Sequence, residues 1–409
     1  MWRRLLLAVA ALCAVTFQIC CAKQEKKERK AECCRDLQTP VWYDVLPSHT
    51  LYEWSSTILR LDVEKGAAVV TVSVPEFEKQ GHTGRWMICS SRDTGGHWDC
   101  APEGRRPVAV NVSPWSGRFL EAPGHPKILY KLLDTRLFLR SENGGRTWRH
   151  PRFSVDGVSK EKFAFEVSKN KSYRLEVDIA AIDPIRPLTL YASLVVDPPA
   201  RRNARGDLVK WYELPGLYVS HDGGESWSKF TEVLLSLSRN LMGPSPMGIS
   251  PSNPNIMFGE SREGAVKSTD GGRTWTTVGQ EKELNQEVQL RGGTGRPRPL
   301  SGRFLRLEVW QFVMHPSDPN VVYMVSNKGV FRTLDAGRTW CLLSLGFDTV
   351  DAYYHAALNP LRPQELFVGT AHGLFFSKDQ GCHFERLYPP RMAGRAEREH
   401  VFGYTSSRW

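Results

Sequence analysis

Past residue 22 the sequence has no apolar run of the roughly 20 residues needed to span a bilayer. The mature chain is therefore expected to be soluble and to carry no transmembrane segment. It has no CxxC pair, which argues against a structural zinc site, so no metal is expected. HExxH and GxSxG are also missing. The glycine-rich segment around Gly292 follows no clear strand and opens no helix, so it reads as a loop. No cofactor is implied. An excess of acid is missing too: 54 Lys and Arg stand against 44 Asp and Glu, a net charge of +10. The basic residues are scattered, which argues against nucleic acid and leaves anionic glycans, acidic proteins or a membrane surface as partners. What is abundant is punctuation. With 34 Gly, 26 Pro and 13 Trp in 409 residues, turns and aromatics favour an all-β protein.

Residues 1–22 read as a secretory signal peptide. Arg3 and Arg4 are followed by an apolar stretch from Leu5 to Ile19, with Cys20 and Ala22 near a cleavage point before Lys23. An uncleaved anchor or a lipid-modified Cys20 or Cys21 are the alternatives. Cleavage leaves a charge of +8, because Arg3 and Arg4 are lost from +10. It also leaves six cysteines: Cys33, Cys34, Cys89, Cys100, Cys341 and Cys382. An even number fits an exported, disulfide-bonded chain, secreted or periplasmic. Cys89 and Cys100 flank one expected hairpin and are the first candidate pair. Cys33 or Cys34 could tie the N-terminal segment to Cys341 or Cys382. Asn111 and Asn170 each begin a glycan acceptor triplet.

One eight-residue pattern recurs six times: Ser or Thr, any, Asp, any, Gly, any, any, Trp. The copies are Ser91–Trp98, Ser141–Trp148, Ser220–Trp227, Ser268–Trp275, Thr333–Trp340 and Ser377–Phe384. Asn143 replaces Asp in the second and Phe384 replaces Trp in the sixth. The acidic or amide side chain can accept backbone N–H bonds, glycine can take a conformation other residues avoid, and the aromatic ring can plug the turn against its neighbour. Upstream of several copies lie a strand, a proline-containing turn and a second strand, as in Ala356–Pro360 followed by Glu365–Gly369. Four short strands per about 45–50 residues is the unit of a propeller blade.

The pattern resembles the Asp-box, or BNR repeat, of sialidase-like and sortilin-like β-propellers, and covers roughly residues 55–390. The resemblance implies an all-β, six-bladed β-propeller, with a seventh blade the alternative. Blades are expected near 55–104, 105–155, 172–232, 240–280, 303–346 and 350–389. Residues 23–54 form a charged segment in which Val41–Leu46 could close the ring. Residues 391–409 form a basic tail. Basic insertions at 198–214 and 279–302 are candidate binding loops. The same repeat resembles parts of sialidases, other glycoside hydrolases, sortilin-type receptors and photosystem assembly factors, so the fold leaves function open.

In the resembling propellers the boxes join the third and fourth strands, on the face away from the usual ligand funnel. Asp93, Asn143, Asp222, Asp270, Asp335 and Asp379 are therefore expected to be structural. The funnel is lined by first strands, which points to Arg174, Glu176, Arg306, Gln311, Tyr353 and His355 as binding candidates, with Asn111 nearby. Asp178 and Glu308 are the candidate acid–base pair for glycoside hydrolysis. Sialidases share an Arg-Ile-Pro signature and an arginine triad that clamps a carboxylate. The nearest string here, Pro184-Ile185-Arg186-Pro187, has the wrong order. The expectation is an exported monomer that binds a glycan or a protein without catalysis. The alternatives are an atypical glycoside hydrolase and a scaffold at a membrane surface.

Overall fold

The computed structural model describes residues 57–78, 81–102, 119–132, 138–168, 174–197, 201–202, 208–209, 217–231, 247–261, 264–280, 284, 307, 309–343, 355–370 and 373–387. It is a six-bladed β-propeller. Residues 1–22, expected to be a signal peptide, Val41–Leu46, Cys33, Cys34, Asn111, Asn170, residues 391–409 and most of both insertions lie outside these residues.

The first blade is the sheet β1 (Thr57–Glu64), β2 (Ala67–Glu78), β3 (Gly81–Ser91), β4 (Asp99–Pro102), paired antiparallel in chain order. The fourth repeats it with β16 (Met247–Ile249) to β19 (Thr276–Gln280). The fifth runs from β20 (Val309–Met314) to β23 (Cys341–Leu342), and the sixth from β24 (His355–Leu358) to β27 (Glu385–Leu387). Second and third strands are buried on both faces, as in β21 (Val322–Ser326) and β25 (Leu366–Thr370). That is why they read as apolar runs rather than as alternating patterns.

The second and third blades depart from this plan. The second blade has three strands, β5 (Phe119–Ala122), β6 (His125–Leu132) and β7 (Phe138–Ser141), plus a single bridge between Arg140 and Arg149. Residues 154–155, expected in the second blade, form β8 (Ser154–Val155) and pair parallel with β15 (Ser226–Thr231) of the third. The pull is apolar. Phe153 and Val155 are buried, and the Phe153 ring packs on Trp227. β9 (Val158–Ser159) and the helix α1 (Lys160–Ser168) follow, before β10 (Arg174–Ile182), β11 (Leu190–Asp197) and β14 (Leu217–Ser220). The insertion between β11 and β14 carries a small hairpin, β12 (Arg201–Arg202) with β13 (Leu208–Val209).

Closure comes from side chains. Ile58, Leu61, Val70 and Val72 of the first blade share a core with Ala357, Phe367, Leu374 and Phe376 of the sixth. Among the described residues no strand is exchanged between those two blades.

Blade-to-blade contact has a recurring element. The box glycine at the fifth position has φ between +84° and +96° in all six copies, a region that favours glycine. In five copies its Cα also lies against the preceding blade: Gly95 on Leu387, Gly224 on Phe138, Gly272 on Phe230, Gly337 on Val278 and Gly381 on Leu343. A methyl group would overlap each of those side chains. Gly145 instead faces Trp148 and Leu129 of its own blade. Gly272→Ala should therefore cost about 2–4 kcal/mol, combining backbone strain with overpacking. Gly66→Ala, at φ +79° in open space, should cost only about 1 kcal/mol. Urea unfolding of the two variants checks the difference.

Candidate functional site

Each box closes on itself. In the fourth blade, Ser268 Oγ accepts from Gly272 N at 2.8 Å and donates to Asp270 Oδ1 at 2.8 Å. Asp270 Oδ1 also accepts from Thr274 N, and Oδ2 accepts from Thr274 Oγ1 at 2.6 Å. The Trp275 indole donates to Gly272 O. The same bonds centre on Asp93, Asp222, Asp335 and Asp379. Asn143 substitutes by donating its amide to Thr147 Oγ1. The seventh position of the pattern is thus not free. His97, Thr147, Ser226, Thr274, Thr339 and His383 all bond the second side-chain atom of the Asp or Asn. Hydrogen bonds from the His97 backbone and ring bring the Asp93 carboxyl down to about 2. Those from Thr274 and Ser268 hold Asp270 lower still. For Asp222, Asp335 and Asp379, burial pushes up, but hydrogen bonds outweigh it and the net direction is down.

The box also ties to the turn between the first and second strands. Backbone N–H groups of Gly144, Gly223, Gly271, Ala336 and Gln380 donate to carbonyls of Lys127, Leu188, Asn255, Asn320 and Gln364. Those turns carry a second repeat, a polar residue followed by Pro-x-x-Pro. Asp183, Ser250, His315 and Asn359 accept backbone N–H bonds from two or three residues further on. Arg140 reaches from the second blade to Asp222 O, and Arg332 from the fifth to Gln380 O. Trp340 donates to Val278 O of the fourth blade at 2.7 Å. Cys89 and Cys100 face each other across β3 and β4 and are disulfide-bonded. Cys341 and Cys382 each take part in a disulfide, with no disulfide partner among the described residues.

First strands surround the axis and enclose a cavity of about 380 Å³. Leu61, Glu121, Ala181, Ile249, Phe312 and Leu358 contribute one side chain from each blade. Pro123, Pro184, Pro251, Pro316 and Pro360 frame it. These prolines begin the same turns that bond the boxes, so the cavity lies at the box end of the channel. The connections expected to form the funnel at the opposite end lie largely outside the described residues. Register shifts in β1, β5, β10 and β20 mark bulges around the axis. Bulges re-aim side chains.

Glu121 is the only ionisable residue among the described cavity lining. It is 7% exposed. Arg60 of β1 holds Glu121 Oε2 at 2.9 Å and Asp62 Oδ2 at 2.8 Å. Burial pushes the Glu121 carboxyl up, the Arg60 charge opposes this, and Asp62 adds to it. Neither Arg60 nor Glu121 stood out in the sequence. The signal was the one charged residue in the apolar strand Phe119–Ala122.

Of the residues expected at the site, Gln311 lines the cavity. Its amide is spent between blades: Nε2 donates to Ala356 O and Oε1 accepts from Ala356 N, both at 3.0 Å. His355 begins β24. Its Nδ1 is buried without a hydrogen-bond partner, and burial lowers the ring to about 4. Arg174, Glu176 and Asp178 fall in β10, opposite Asp197, Val195 and Ser193, before the stretch that lines the cavity. Arg306, Glu308 and Tyr353 lie outside the described residues.

Each of the six blades of this β-propeller thus carries one self-closed box. The BNR/Asp-box repeat profile matches residues 218–229. Among curated protein sequences none matches the chain. The chain is similar to three solved structures. An ancestral GH74 enzyme is 15% identical at TM-score 0.36, over 83% of this chain and 38% of its own. YCF48 from Cyanidioschyzon merolae is 12% identical at TM-score 0.38, over 82% and 98%. YCF48 bound to D1 peptide is 10% identical at TM-score 0.37, over 88% and 100%.

Two outcomes are expected. Asp93 binds its proton more weakly folded than unfolded, so its contribution is present above about pH 4 and lost as pH falls toward 2. Asp93→Asn, which copies the second box, should flatten the pH dependence of urea stability in that window. Gln311→Leu leaves the Ala356 N–H and C=O without their cross-blade partner, and should lower stability by about 2 kcal/mol or more in urea unfolding.

Proposed function

We propose that the chain is an exported, non-catalytic β-propeller that binds a protein partner at its central channel. The carrying observation is the makeup of the cavity. Its walls are aliphatic, aromatic and proline side chains. Its polar side chains among the described residues are Glu121, held by Arg60, and Gln311, clamped on Ala356. A sugar would need many hydrogen-bonding groups there, whereas an apolar peptide segment would not. The Cys89–Cys100 disulfide and the absence of a long apolar helix among the described residues fit an extracytoplasmic setting. The net charge of +10 favours a partner with an acidic surface.

One observation favours a second reading, glycoside hydrolysis. Glu121 is a buried carboxyl pushed toward its neutral form, as a general acid requires. Against it, Arg60 bridges Glu121 and Asp62 and already pairs the carboxylate a general acid would have to keep protonated. Residues 23–409 incubated with fluorogenic glycosides, sialosides included, should release no more product than buffer. Release by the wild type that Glu121→Gln abolishes would replace the binding reading with the enzymatic one. Release lost only in Asp178→Asn, Glu308→Gln would move the site to the other end of the channel.

A further inference from the structure

We propose that the box-end cavity takes the basic side chain of a partner peptide, its alkyl stem in the apolar channel and its cation on Glu121. This rests on the protein-binding reading and names the partner's chemistry. A binding pocket for such a side chain needs apolar walls and an anion among them. Both are present.

The walls are the ring of Ala181, Ile249, Phe312 and Leu358, with Trp310 beside the bulge of β20. The long stems of Lys and Arg bury favourably against such walls while their charged heads seek a polar group. The anion is Glu121, the second blade's member of the same ring and the only ionisable residue in the described lining. One guanidinium, that of Arg60, serves both Glu121 and Asp62. A carboxylate that shares its counter-ion gains most from a second cation, because a buried charge is costly until it is paired. The upward push on the Glu121 carboxyl points the same way. An incoming carboxylate would meet like charge with no free cation on the lining.

The rim sets what flanks the anchor. Ile185 and Leu361 stand 52% and 46% exposed in the Pro-x-x-Pro turns of the third and sixth blades. Arg186 and Arg362 follow them and are half-exposed, each paired to a buried carboxylate of its own turn, Asp183 and Glu365. A second basic residue next to the anchor would face these arginines. Apolar and acidic flanks would not. The overall positive charge favours the same acidic flanks at long range.

The test uses the full mature chain with disulfides intact. Two fluorescent, end-capped peptides, Glu-Glu-Leu-Lys-Leu-Glu-Glu and its lysine-to-norleucine counterpart, are titrated by anisotropy, with free hexylammonium as a competitor. The lysine peptide should bind at least about tenfold tighter, the worth of one charge-assisted bond. Glu121→Gln should bring the two peptides within about twofold while urea unfolding shows the variant folded. Ala181→Leu, which fills the cavity and leaves the Glu121 carboxyl in the sequence, should weaken the lysine peptide as well. Equal binding of the two peptides, a preference that survives Glu121→Gln, or no binding at all overturns the proposal. Hexylammonium displacing the peptide at equal concentration overturns the peptide as occupant. None of these outcomes involves hydrolysis, so failure here is distinct from failure of the non-catalytic reading.

Discussion

The propeller depends on the close approach between five of its six box glycines and side chains of the blade before each. A hydrogen atom in place of a side chain lets Phe138, Phe230, Val278, Leu343 and Leu387 sit directly on the backbone of the following turn. The same glycine must adopt positive φ. Its N–H must also reach the box Ser or Thr. Three constraints meet on one atom pair. Local turn closure and blade-to-blade spacing therefore become one decision, and neighbouring blades can be held by side-chain packing.

That arrangement explains why the axis can be irregular. Box turns and Pro-x-x-Pro turns are cross-linked by backbone bonds at one end of the ring. The first strands are held from outside and are free to bulge where they surround the channel. Bulges in β1 and β20 lie beside the residues that carry polarity inward, Arg60 in one and Gln311 in the other. Gln311 turns its amide into a cross-blade clamp. Arg60 links the first blade to the second through Glu121. Polar groups at the axis thus serve first as fastenings. Among the described residues Glu121 is the single carboxylate lining the apolar space.

The second and third blades show what happens when the rule relaxes. Gly145 touches only its own blade. The strand that would complete the second sheet leaves after one bridge and pairs parallel with β15. Arg140, buried and reaching Asp222 O, and Glu225, accepting from Arg149 and Arg152, stitch the seam that results. An ionic and backbone network replaces the missing strand, and the buried ring of Phe153 on Trp227 supplies the apolar share.

The eight-residue pattern by itself determined the six boxes, hence the six blades. Everything such a turn needs is local: a hydroxyl, an acceptor two residues on, a glycine four residues on and an aromatic plug. The threonine, serine or histidine at the seventh position belonged to the same logic and was legible only once the second acceptor atom was seen to be used. Cys89 and Cys100 were legible for the same reason, as neighbours across one hairpin. The channel was not. Asp178 and Gln311 look alike in a strand-one alignment, yet a bulge shifts which residues reach the axis, and no local pattern announces a bulge. Arg60 and Glu121 lie 61 positions apart and meet because two blades pack side by side. Only the tertiary structure decided that pairing, since contact between first strands is set by blade spacing and not by any sequence either strand carries.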